Sequence, residues 1–297
     1  MKLNITEDVK LGGKFRLRTR LADGTITKDT GWFDNLLTNQ GLNWIGNYPA
    51  GIAQYVAVGT SSTTPAYTDT NLGTFLAAVG YYSISSYTYT VGPPDYVSVF
   101  FTYNYAIGAA TGNLTEIGTG DNTANTLLFS HALILDSLGS PTTLTVLSYE
   151  QLEVTYELRL YMNLTDTSYS FVVSGVTHSG VWRRANANAV SDYSYAGGSG
   201  QGLFYVSNGS IGTVNSVPTG IGDSVNASLT TAYVNGNYYN SWNAYFPTTA
   251  GNMTGGVTAF LIYGMFGDYQ ASVSPAIAKT SAYSLTINFN ASWARYP

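Results

Sequence analysis

The sequence predicts an all-β protein of two sandwich-like domains with one or two short helices. Three observations predict it. Apolar and polar residues alternate with period two in many short stretches, the pattern of strands buried on one face. Aromatic residues make up 14% of the chain, including 25 tyrosines, a composition that suits pleated sheets. There are also 32 glycines, which supply tight turns between strands.

Taken in order, residues 14–30 read as a hairpin. Phe15, Leu17, Thr19 and Leu21 alternate with Lys14, Arg16, Arg18 and Arg20. Asp23-Gly24 makes the turn and Thr25-Ile26-Thr27 begins the return strand. Trp32 and Phe33 read as core, and Thr38 or Asn39 can cap a short helix through Leu42, Trp44 and Ile45 that ends at Gly46. Gln54–Val58 is a short strand. Thr68-Asp69 is expected to cap a helical turn through Leu72 and Leu76. Tyr81–Val91 and Tyr96–Tyr105 form a hairpin around Gly92-Pro93-Pro94-Asp95. Gly112–Gly118 reads as one short strand and the apolar run Leu127–Leu135 as a buried one, closed by a turn at Asp136–Gly139. In residues 152–160, Leu152, Val154, Tyr156, Leu158 and Leu160 point one way, and Glu153, Thr155, Glu157 and Arg159 the other, onto a face read as exposed.

After Arg184 the only charged residues are Asp192, Asp223, Asp268, Lys279 and Arg295, and Gly197–Gly202 reads as a flexible loop. This change places a domain boundary near residue 165. It divides the chain into a β-sandwich over 1–165 and a Gly/Tyr/Asn-rich β domain over 166–297. The strand Leu285, Ile287, Phe289, Ala291, Trp293 echoes residues 152–160, and Gly251-Asn252-Met253-Thr254 echoes Gly112-Asn113-Leu114-Thr115, as a degenerate internal duplication would.

Only 10% of residues are charged, against about 25% in an ordinary domain, and the net charge is −5. That balance excludes a general nucleic-acid binder, which needs clustered Lys and Arg. There is no cysteine, hence no disulfide framework and no thiolate metal site. The first residues lack the apolar segment of a secretory signal. No run approaches the roughly 20 apolar residues of a membrane span, so no membrane insertion is expected. The sequons at Asn4, Asn113, Asn163, Asn208, Asn226, Asn252 and Asn290 read as chance in a chain this rich in Asn, Ser and Thr.

No catalytic pattern stands out, and neither an enzyme nor a cofactor is expected. His131 and His178 are the only histidines, with no zinc spacing between them and no nucleophile elbow in the chain. His131, inside an apolar strand, reads as a hydrogen-bonded core residue. Glu153 and Glu157 would stand about 13 Å apart on one strand face, beyond the roughly 5 to 9.5 Å of glycosidase carboxylate pairs. Glu116, Asp121 and Asp136 are the calcium candidates, without a ligand-dense loop around them. Gly118–Asp121 is a turn signal rather than a phosphate loop.

Two candidate contact surfaces are left. One is the basic strand face of Lys14, Arg16, Arg18 and Arg20, able to grip an acidic partner but read in preference as a solvated face. The other is the aromatic segment with Tyr233, Tyr238, Tyr239, Trp242 and Tyr245, whose flat amphipathic rings among Asn and Ser suit glycan or subunit contact.

The series DTGWFDNLLTNQGL, YVAVGTSSTTPAYTDTNLG, GNLTEIG, LLFSHALILD and PTTLTVLSYEQLEVTYELRLY resembles a group of tailed-bacteriophage virion proteins, the tail fibre and minor structural proteins. The matching positions include Gly31, Trp32, Phe33, Asn35, Gln40, Gly41, Val58, Gly59, Pro65, Asp69, Leu72, Asn113, Glu116, Gly118, Leu133, Leu152, Val154, Tyr156 and Arg159, and the likeness runs mainly over residues 13–184. It implies a non-enzymatic building block of the tail tip, fibre or collar, made in the host cytoplasm and assembled with other virion proteins as a homo-oligomer, a trimer or higher symmetric ring. A module that binds a host surface glycan or protein receptor, and a capsid decoration or head-fibre protein, are the alternatives it leaves open.

Overall fold

The computed structural model describes residues 2–47, 53–81, 83–120, 127–173, 175–186 and 202–297. Asp121 and Asp192 lie outside the described residues, as does the Gly197–Gly202 loop except for Gly202. Among the described residues there are 21 strands and one helix, so the chain is all-β as its sequence predicts. It divides into two compact units. One comprises Met1–Val9, Tyr89–Val97 and Met162–Trp293; the other comprises Lys10–Thr88, Ser98–Tyr161 and Ala294–Pro297.

The unit built on residues 10–161 is a sandwich. Its first sheet holds the later residues of β1 (Lys2–Arg20), then β13 (Gln151–Tyr161), β8 (Tyr96–Asn104) and β7 (Ser83–Thr90), in that order. The pair β1/β13 is antiparallel and in register from Lys10↔Tyr161 to Arg20↔Gln151. The hairpin strand β2 (Ile26–Asp29) and the short β3 (Phe33–Asp34) also pair with β1. The second sheet runs β4 (Leu36–Leu37), β11 (Leu128–Leu133), β10 (Glu116–Gly120), β5 (Tyr55–Gly59) and β6 (Phe75–Gly80). Tyrosines bolt the two sheets together. The Tyr103 hydroxyl donates to Ala53 O and that of Tyr105 to Val56 O at 2.8 Å, while Tyr156 meets Asn35, Ser130 and Thr119. Between the sheets Phe15 packs on Tyr156 at 4.9 Å and on Phe33 at 6.1 Å. A buried phenol reaching a partner is the arrangement in which its apolar ring contributes most and its polar tip costs least.

The helix α1 (Asn39–Asn47) lies on β11. Thr38 caps it, its Oγ1 accepting the Gly41 N–H at 2.8 Å. Leu42 and Ile45 are buried beneath it. Trp32, read as core, is instead 42% exposed and meets Phe100 edge-on at 6.0 Å, because the strand parity that buries Phe33 turns its neighbour outward.

Three further expectations change. No helical turn follows Asp69, since Leu76 belongs to strand β6 and Asp69 accepts the Ala66 N–H at 2.7 Å in a turn. The Gly112–Gly118 stretch splits at Thr115 into β9 (Gly112–Leu114), paired with β12 (Leu144–Val146), and β10 in the other sheet. The second face of β13 is not an exposed one. Glu157 is buried there, accepting from Ser98 Oγ at 2.5 Å and from the Arg159 guanidinium at 2.8 Å.

The other unit is a single sheet that rolls on itself. Its order is β14 (Thr167–Val173), β15 (Val176–Asn186), β20 (Gly267–Ile277), β19 (Val257–Gly264), β16 (Leu203–Ser207), β17 (Ile221–Leu229), β18 (Tyr239–Phe246), β21 (Leu285–Arg295) and the first residues of β1. Phe289 sits at the centre of the roll, 5.0 Å from Tyr269, 5.9 Å from Trp242 and 6.4 Å from Phe204. Across the interior the fully buried Arg184 of β15 stands 3.7 Å from Glu7 of β1 and over the Tyr269 ring. Gly112–Leu114 is a strand whereas Gly251–Met253 lies in a loop, so these two look-alike segments do not share a place in the fold.

Gly41 is where helix and sheet come closest: a Cβ there would stand 2.2 Å from the Phe129 carbonyl oxygen. Ala normally favours a helix over Gly by about 1 kcal/mol. Gly41→Ala is expected to destabilise by about 1 to 3 kcal/mol nonetheless, because the added methyl meets fixed backbone. Urea denaturation checks it, and a stabilised variant would disprove the close packing.

Candidate functional site

The basic face of β1 is answered residue by residue. Lys14 pairs with Asp34 at 3.1 Å, Arg16 with Asp29 at 2.5 Å, Arg18 with Asp29 at 3.1 Å, and Arg20 with Glu153 at 3.0 Å. Lys28 on β2 holds the buried Glu150 at 2.9 Å. The Arg16 hydrogen bond outweighs burial and keeps the Asp29 carboxyl far below the ordinary range. Exposed pairs of this kind contribute little stability each. They do offset one another's charge, so Lys14, Arg16, Arg18 and Arg20 form an ion ladder on a partly covered strand face.

The aromatic candidates separate by strand parity. Tyr239 and Tyr245 of β18 point to solvent, Tyr245 being 55% exposed. Trp242, proposed as a contact residue, is a correction. It is 3% exposed and packs on Phe289, on the same parity as the buried Asn240, Ala244 and Phe246. That parity was visible in the sequence and would have found it. Tyr233 stacks on Trp293 at 5.6 Å, and Tyr238, half-buried at φ 48°, accepts the Trp293 N–H at 2.9 Å through its carbonyl.

Between Tyr239 and Tyr245 lies a feature that sequence reasoning missed. The polar-parity side chains of β18, β21 and β1 join into rungs around the buried Asn288. Asn243 Nδ2 donates to Asn288 Oδ1 at 2.9 Å, and Asn288 Nδ2 to Asn4 Oδ1 at 2.7 Å. Ser241 donates to Asn290 at 2.7 Å, and Asn290 to Thr6 at 3.3 Å. Ser292 donates to Asp8, the only charged member. The polar parity of Ser241/Asn243 and Asn288/Asn290/Ser292 is plain in the sequence. That Asn4 and Thr6 complete the rungs is not, because they come from the far end of the chain. The result is a nearly neutral lattice of amides and hydroxyls flanked by two phenols. Its donors and acceptors are held in place by one another.

The histidines are committed elsewhere. His131 Nδ1 lies 2.7 Å from Asp69 Oδ2, and Nε2 lies 3.1 Å from Glu116 Oε2. Burial opposes a charge on His131, but hydrogen bonds to Glu116 and Asp69 outweigh it and raise its pKa. Burial likewise opposes ionisation of Glu116. The His131 bond and the N–H groups of Thr74, Gly73 and Ser61 outweigh it and lower the pKa. The imidazolium thus clamps the 60–74 loop to β10 and β11. With both nitrogens facing carboxylates, His131 has no site left to act as a base toward a nucleophile. His178 donates from Nδ1 to Pro275 O at 2.7 Å and stacks on Phe171.

Of the calcium candidates, Glu116 belongs to this clamp, Asp136 accepts the Leu138 and Ser140 N–H groups of its turn, and Asp121 lies outside the described residues. Among the described residues no three His, Asp or Glu side chains are grouped to hold a metal, and no helix is long and apolar enough to cross a membrane. Set against known proteins, the chain matches no family model, no curated protein and no solved structure.

Two outcomes are expected. His131→Gln removes the charge between two carboxylates and should cost about 3 kcal/mol near pH 6. The wild-type contribution from His131 is complete below the imidazole's ordinary value of about 6.5 and fades as pH rises through its raised folded value. That from Glu116 is complete above about 4.3 and fades as pH falls through its lowered value. The variant's deficit should therefore shrink on the alkaline side, as read by urea titrations from pH 5 to 9; a pH-independent deficit would refute the clamp. Separately, Trp242→Ala should cost about 3 to 5 kcal/mol while Tyr245→Ala stays within about 0.5 kcal/mol, both read by thermal melts.

Proposed function

We propose that the chain is a non-catalytic structural component of a tailed-bacteriophage virion, at the tail tip, fibre or collar, acting by assembly with copies of itself and with other virion proteins. The observation that carries the assembly reading is the amide–hydroxyl lattice of Asn4, Thr6, Ser241, Asn243, Asn288 and Asn290. A nearly neutral face with its donors and acceptors fixed suits a stable subunit contact, whereas catalysis needs a group free to move protons or attack. The virion context comes from the ordered motif series over residues 13–184. The neutralised ion ladder accords with it, since no strong field is left to recruit nucleic acid.

A second reading has its own support. Tyr239 and Tyr245 are exposed at the margins of the lattice, and phenol rings beside amides and hydroxyls are a common means of holding a glycan or a protein receptor. Immunogold labelling of purified particles tests the first reading: label on the tail is expected, and label on the capsid would overturn the tail assignment in favour of a head-decoration role. The double variant Tyr239→Ala/Tyr245→Ala tests the second. If the face binds host envelope, the variant protein loses that binding while keeping the wild-type melting temperature; unchanged binding would remove the receptor reading.

A further inference from the structure

Strand β6, Phe75–Gly80, closes one side of the five-stranded sheet, and among the described residues its one neighbour in that sheet is β5. The two pair antiparallel with Tyr55↔Gly80, Val56↔Val79, Ala57↔Ala78 and Val58↔Ala77, after which a bulge at Leu76 brings Phe75 opposite Gly59. The Tyr81 N–H donates to Gln54 O at 2.9 Å, which makes 54/81 a hydrogen-bonded pair. By the alternation of an antiparallel ladder, residues 77 and 79 then also turn their peptide groups toward β5. Ala78 and Gly80 turn theirs outward, to the open side. Edge strands are usually guarded by charge or proline. This one, FLAAVG, has neither, and the sequence contains no charged residue between Asp69 and Asp95. Phe75 and Leu76 at its start and Tyr81 just past its end are exposed.

We infer that the open edge of β6 pairs with the β6 edge of a second copy of this chain, antiparallel about a two-fold axis through Ala78. Outward peptide groups must meet outward peptide groups, so over the regular stretch from Ala77 to Tyr81, Ala78 faces Ala78 of the copy. The neighbouring positions then bring Ala77 opposite Val79, with the bulge at Leu76 ending the regular pairing. The larger Val79 meets the small Ala77, and the two central alanines meet each other. An uncharged strand has no like charges to oppose its own copy, and a charged partner strand would find no counter-charge here. An isologous contact of this kind closes as a dimer. The inference deepens the assembly reading by naming a surface and its partner, and it rests on that reading for its place in a virion, whereas the contact itself is tested on the purified chain.

The chain has no cysteine, which makes the register directly testable. Ala77→Cys/Val79→Cys is expected to give a covalent dimer on mild oxidation, since the two positions face each other across a non-hydrogen-bonded pair about 4.5 Å apart. Either single substitution should give none, because each lies about 8 Å from its own counterpart in the copy, beyond the reach of a disulfide. Ala78→Pro removes the outward N–H at the centre while leaving the β5 side intact. It should weaken self-association roughly a hundredfold in sedimentation velocity, as two symmetric main-chain bonds are lost, with far-UV circular dichroism unchanged. A wild-type chain that sediments as a monomer at high micromolar concentration would overturn the inference. So would cross-linking by the single variants, or association untouched by Ala78→Pro. Tail labelling with a monomeric chain would refute the edge contact alone; a dimer with no virion label would refute only the virion reading.

Discussion

Every odd-numbered residue of β1 from Ile5 to Thr19 is buried, and the even-numbered ones lie outside or at the margin. A strand repeats every two residues, so a slip of one would exchange the faces wholesale. The cost of turning Ile5, Val9, Leu11, Phe15 and Leu17 to water, at roughly 1.5 to 3 kcal/mol for each large apolar side chain, holds that parity against any preference of the polar residues. Both polar ladders follow from it. Asn4, Thr6 and Asp8 receive the amide and hydroxyl rungs on the even face in one unit, and Lys14, Arg16, Arg18 and Arg20 receive the carboxylates on the even face in the other.

The same rule puts one ionisable residue of β1 on the wrong side. Glu7 occupies an odd position and is buried, where an unpaired carboxylate would be costly. Arg184 answers it from β15 while donating to Phe266 O at 2.5 Å and lying 4.8 Å from the Tyr269 centroid. Such a pair adds little net stability against an apolar alternative, since both ions lose water. Lys279 acts similarly on a smaller scale, its buried ammonium donating to Pro247 O and Asn252 Oδ1 at 2.9 Å.

Charge is scarce in this chain and much of it is used internally. Glu116 accepts four hydrogen bonds and carries His131 with it. Glu157 is shared by Ser98 and Arg159, and Asp29 sits between Arg16 and Arg18. The two proposed contact faces are nearly neutral, made of amides, hydroxyls, phenols and peptide groups with Asp8 as the charged member. Surfaces of this type associate through shape and fixed hydrogen bonds rather than long-range attraction.

By itself the sequence determined what period and turn chemistry can determine. Strands such as β13 and β21 were legible because five successive apolar residues of one parity need a core on that side. The 14–30 hairpin was legible because Asp-Gly admits the backbone it needs, and the Thr38 cap because a hydroxyl there meets a free N–H of the first turn. The exposed Trp32 and the buried Trp242 went astray when residue type was weighed above parity. Only the tertiary structure decided which polar residues meet. Asn4 reaches Asn288, Glu7 reaches Arg184, Arg20 reaches Glu153 and Asp69 reaches His131 across separations that no local pattern records. Strand order sets those meetings, and strand order follows from how whole sheets bury their apolar faces. That is why the fold class was readable residue by residue while the contact faces were not.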